Sequence, residues 1–100
     1  MNIEHRLKEY TEALGAYIIE NTLKKLAHLE LQRCKMKMEK VSSELAPFEK
    51  LFGKGSRNAW TEFRSGKLGD DGDVMEWMMI FENYLALEKQ YQRLIKVGAI

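Results

Sequence analysis

The chain has one cysteine, one proline, almost no net charge and no long apolar run, and each of these shortages closes off a class of protein. A lone thiol, Cys34, cannot form an internal disulfide, which removes the small disulfide-stapled scaffolds from consideration. The opening Met-Asn-Ile-Glu-His has neither the basic nor the apolar region of a secretion signal, so a cytoplasmic setting is expected. Apolar stretches such as 16–19 and 77–81 fall far short of the ~20 residues that span a bilayer, and no membrane association is expected. Sixteen Lys and Arg against fifteen Asp and Glu leave a formal charge of +1, too little for a global field that would gather nucleic acid. Valine and threonine are too scarce to build a sheet.

What remains is helix. Leu, Glu, Lys, Met and Ala dominate, and the apolar fraction of 45% is enough for one small core, so a single all-α domain over 1–100 is expected. In the first part of the chain Ile3, Leu7, Tyr10, Leu14 and Tyr17 recur in steps of four and three. Further on, Ala27, Leu31, Cys34, Met38, Val41, Leu45, Phe48 and Phe52 do the same. The spacing predicts one long helix over 3–46, ended or kinked at Pro47 and followed by another turn or two. One row of positions is common to both parts, but the companion row shifts by one position. The buried face therefore rotates near residues 18–28, through a change of packing partner or a break near 20–22.

After Gly53-Lys-Gly-Ser56, a short helix over 57–65 is expected, with Ser56 as its cap and Trp60 and Phe63 on one face. Gly66, Gly69 and Gly72 then mark a loop, and Asp73 with Glu76 three residues on matches an acidic capping box. The last helix should run over 74–96 with Val74, Trp77, Phe81, Tyr84, Tyr91 and Ile95 in its apolar row, Glu88 being the polar exception. Folded back on the long helix it makes an antiparallel helical hairpin or bundle. Too short to cover the segment from Ile3 to Tyr17, it leaves that end to be completed by oligomerisation, in a dimer or larger assembly, or by another protein.

Chemistry is sparse. Asp70, Asp71, Asp73 and Glu76 form an acidic cluster without the ligand order of a calcium loop, and capping with favourable charge at a helix N-terminus accounts for them. No metal site, cofactor site or catalytic pair is expected: His5 and His28 have no ligand at useful spacing, and Cys34 falls on the apolar row. Gly-Lys-Gly-Ser and Gly-Lys-Leu-Gly lack the glycine spacing of a phosphate loop. Lys24, Lys25, Arg33, Lys35, Lys37 and Lys40 make a basic middle in the long helix, which interleaved Glu30 and Glu39 dilute. Nucleic-acid binding is the alternative function and a metal-dependent enzyme the more distant one. Trp60, Phe63, Leu68 and Trp77 are either a local core or anchors for a partner.

The order Glu44-Leu45, Phe48-Glu49-Lys50, Phe52-Gly53, Trp60, Phe63, Gly66 to Asp71, Asp73, Glu76-Trp77 and a heptad tail resembles small archaeal and bacterial helical proteins described as antitoxins of TumE/TumA-like toxin–antitoxin pairs. The resemblance covers about residues 40–95. It centres on Gly66, Leu68, Gly69, Asp70, Asp71, Asp73, Val74, Glu76 and Trp77, and the Gly53-to-Arg57 linker departs from the shorter turn of that pattern. It implies a non-enzymatic protein that binds and restrains a toxin protein, with Trp60, Phe63, Leu68, Asp70, Asp71, Asp73, Glu76 and Trp77 forming the partner surface or a structural joint.

Overall fold

The computed structural model describes residues 2–98 as four helices, with no strand among the described residues. Residues 1, 99 and 100 of the expected 1–100 domain lie outside them. The helices are α1 (Ile3–Leu14), α2 (Ala16–Phe52), α3 (Ser56–Arg64) and α4 (Gly72–Gly98). None is long and apolar enough to cross a membrane.

The helix expected over 3–46 is divided and extended. The division falls at Gly15 and not near 20–22, where α2 is continuous. Gly15 adopts φ 91°, a conformation that costs a residue with a Cβ but not glycine, and it serves both helices at once. Its N–H donates to the Thr11 carbonyl at 2.8 Å while its own carbonyl accepts from the Ile19 N–H at 3.3 Å. α1 does not prolong α2. The molecule measures 57 Å along its longest axis, close to the about 55 Å that a 37-residue helix spans at 1.5 Å per residue.

At the other end α2 passes through Pro47 and stops at Gly53, a left-handed cap whose N–H donates to the Glu49 carbonyl at 2.9 Å. Pro47 deprives the Ser43 carbonyl of its helical donor, yet the helix continues because its last turns are held from outside. Phe48 and Phe52 stack on the ring of Trp77, with centroids 6.2 and 5.0 Å away and planes within 7° and 9°.

α4 returns antiparallel along α2, and α3 packs on α4 at the end where the two long helices are joined. The core lies wholly at that closed end. Val41 and Leu45 of α2, Ala59 of α3, and Val74, Trp77, Met78 and Phe81 of α4 are buried together, and Phe48, Phe52, Trp60, Phe63 and Leu68 pack around them. Farther along the hairpin, among the described residues, only Ala27 and Cys34 of α2 are buried, the thiol of Cys34 donating to the Leu87 carbonyl at 3.2 Å.

Candidate functional site

Trp77 has no exposed surface, and its indole is fixed through polar atoms as well as rings. Its Nε1–H donates to Ser56 Oγ at 2.9 Å; the Ser56 hydroxyl and backbone N–H both donate to Glu49 Oε2 at 2.8 Å. One carboxylate on α2 therefore ties the first residue of α3, and through it α4. Ser56 is not the cap of α3, as its sequence context suggested. The cap position is Gly55, because the Ser56 side chain is engaged by Glu49 and Trp77 instead.

A second link explains the polar gap in the α4 row. Glu88 Oε2 accepts from Arg57 Nη2 of α3 at 2.8 Å, and the Arg57 guanidinium lies 5.7 Å from the Phe81 ring centroid. Glu62 and Lys54 close the turn before α3 with a 2.7 Å contact. The Arg57–Glu88 pair links α3 to α4, whereas Lys54–Glu62 stays within the turn and α3; both are partly exposed, so each adds little to stability.

The eight residues singled out between 60 and 77 divide by chemistry. Trp60, Phe63, Leu68 and Trp77 come together in the closed-end core, Trp60 lying 6.3 Å from Phe63 and 5.9 Å from Phe81 between ring centroids. Asp70, Asp71, Asp73 and Glu76 stay exposed. The cap of α4 is Asp71 and not Asp73: Asp71 Oδ1 accepts from the Val74 N–H at 3.0 Å and its carbonyl accepts from the Met75 N–H at 2.9 Å. Since α4 starts at Gly72, two residues earlier than expected, Asp73 falls inside the first turn, and Glu76 is displaced from the third helical position that a capping box requires. Among the described residues no three His, Cys, Asp or Glu side chains converge as a metal cage would require.

Grooves along the hairpin are open and mixed in polarity. One of about 340 Å³ runs between α2 and α4, lined by Lys37, Lys40, Val41, Glu44, Asn83 and Leu87; it presents no convergent set of polar groups of the kind that orients a small substrate.

The surface that stands out is apolar and lies at the opposite end from the core. Ile3, Leu7, Tyr10 and Leu14 share one side of α1, and none is covered, with exposures of 73%, 40%, 52% and 51%. No residue of α1 is buried. Tyr17, Ile18, Leu23, Leu26 and Leu29 in the first turns of α2 are exposed as well, on more than one side of that helix, and Val97 at the end of α4 is exposed beside Leu23. Isolated surface leucines are ordinary, and the helical spacing of the exposed α1 row is what sets it apart from them. The periodicity of α1 had shown this row, and the period also sets Leu26 to another side of the long helix; the exposure of Ile18 and Leu29 depends on which side of α2 the antiparallel α4 occupies.

Charge is divided along the same axis. Residues 20–40 and 88–98, the middle and open half of the hairpin, hold nine Lys and Arg against four Glu; residues 41–87 hold five basic against eight acidic residues. Fold and surface together define an all-α protein, an antiparallel hairpin with a capped core at one end and an uncovered apolar face at the other. Comparison with protein-family models, curated proteins and solved structures gives no significant match to this chain.

Proposed function

We propose that this chain is a non-enzymatic protein-binding protein whose docking surface is the apolar face of α1 and the first turns of α2. The observation that carries the reading is the uncovered row Ile3, Leu7, Tyr10 and Leu14, on a helix that buries nothing within its own chain. At about 25 cal/mol per Å² of apolar area, covering a few such side chains supplies several kcal/mol to an association. Covering α1 by a homo-oligomer or by a heterologous protein is the arrangement this surface favours.

The narrower reading is antitoxin-like restraint of a toxin protein, and its support is the residue pattern over 40–95. In the fold those residues close the hairpin: Trp77 and Leu45 are buried, Trp60, Phe63 and Leu68 half-buried, and Asp71 caps α4. The pattern thus carries the scaffold, and α1 would present the binding surface. Nucleic-acid binding through the basic middle of α2 is the competing reading.

The experiment is co-expression with the product of the neighbouring gene. A stoichiometric complex, relief of growth arrest by the wild-type chain, and loss of both with Leu7→Glu and Leu14→Glu together are expected. Growth arrest that the chain does not relieve, with no complex formed, overturns the antitoxin reading. Salt-dependent binding of duplex DNA by the purified chain, unaffected by those two substitutions, would favour the nucleic-acid reading instead.

A further inference from the structure

The chain is more extended than a compact protein of its mass. The chain exposes 7771 Å², whereas a compact monomer of 11.7 kDa exposes about 5,900 Å². Its radius of gyration is 19.3 Å, against about 13 Å for a compact chain of 100 residues. The excess of about 1,900 Å² goes with the elongated outline of 57 × 24 × 19 Å, and a surface this extended has room for the about 800 Å² that each partner contributes to a stable interface of standard size.

The chain cannot cover this surface with its own α1. Helices that pack side by side in bundles lie 8–10 Å apart and are connected by roughly 2–8 residues. Here the connection is Gly15 alone, and its N–H and carbonyl are both committed, one to each helix. With no slack at the joint, α1 cannot reverse onto the exposed side of α2 that bears Ile18, Leu26 and Leu29. It stands off as an arm, apolar on one side, next to an apolar face it cannot reach.

We propose that a second copy of this chain supplies the cover, the α1 arm of each copy lying on the Ile18, Leu26 and Leu29 face of the other in a closed two-fold pair. This rests on the docking reading above and names its first partner. A two-fold axis pairs arm with face twice, so one kind of contact closes the assembly without leaving a free end. The charges agree: the arm segment, residues 1–19, holds three Glu against two Lys and Arg, and the half it covers holds nine basic against four acidic residues. Two basic halves meeting face to face would repel; an arm on a basic half does not.

Sedimentation equilibrium of the purified chain tests it. The wild type should sediment at twice 11.7 kDa. An arm variant, Leu7→Glu with Leu14→Glu, and a face variant, Leu26→Glu with Leu29→Glu, should each dissociate at concentrations about 100-fold higher than the wild type or more. Emission from Trp60 and Trp77, which lie in the closed-end core, reports that both variants remain folded. The decisive arm is mixing: arm variant plus face variant should form a dimer where neither does alone, because the pair retains one intact arm on one intact face. A wild type that stays at 11.7 kDa, a dimer indifferent to both variants, or variants that fail to complement each overturns the arm exchange. The docking reading would then be decided by the toxin complex alone.

Discussion

The indole of Trp77 and the hydroxyl of Ser56, twenty-one residues apart, are joined by a 2.9 Å hydrogen bond in the least exposed part of the molecule. Ser56 is itself fixed by Glu49, so the three residues connect α2, α3 and α4 through one chain of donors and acceptors. Replacing Ser56 with alanine strands a buried N–H, a loss of about 1–3 kcal/mol. The urea midpoint should fall accordingly, while Ser65→Ala, at an exposed hydroxyl, stays within about 0.5 kcal/mol of wild type. Equal midpoints for the two variants would show that the Glu49–Ser56–Trp77 chain contributes nothing to stability.

The two aspartates at the head of α4 should differ in effect. Asp71 accepts the Val74 N–H, and Asp71→Ala removes that cap at a cost of about 0.5–2 kcal/mol. Asp73, within the first turn, contributes only its charge near the helix N-terminus, about 0.3–1 kcal/mol at low salt. Thermal unfolding at low and high salt separates them: the Asp73→Ala effect should shrink with salt and the Asp71→Ala effect persist. The reverse order of destabilisation would return the cap to Asp73.

Pro47 offers a gain. It is exposed, so alanine there forfeits no packing, and the new N–H can reach the Ser43 carbonyl one turn back. Proline inside a helix costs about 3 kcal/mol relative to alanine, part of which is returned by the stiffer unfolded chain, so Pro47→Ala should raise stability by about 1–3 kcal/mol. A melting temperature that fails to rise would mean that the stacking of Phe48 and Phe52 on Trp77 depends on the geometry the proline imposes.

Helix content and the antiparallel return were legible because both follow from spacing within a segment. Val74, Trp77 and Phe81 lie on one face by period alone, and a 27-residue helix can lie along only part of a 37-residue one. The boundaries were less legible where a competing interaction is remote. Pro47 suggests a stop, and the stop moves to Phe52 because Trp77, thirty residues away, stacks on the following turn. Gly15 is an ordinary helix-weakening residue until its φ of 91° makes it an elbow. Ser56 and Asp73 fit the local pattern of caps, yet the first is drawn to Glu49 and Trp77 and the second is displaced because α4 starts two residues early.

The sequence by itself determined that this is an all-α chain with a long N-terminal helical stretch, an aromatic joint between residues 60 and 77 and an N-terminal apolar row with no evident cover. These are properties of period and composition, and every residue contributes to them locally. Only the tertiary structure decided that the aromatic joint is spent on the protein's own core and that Ile18 and Leu29 of α2 stay uncovered like the α1 row. The physical reason is that exposure belongs to pairs of surfaces: which side of α2 remains free depends on where α4 lies, and where α4 lies is fixed by Trp77 seated between α2 and α3.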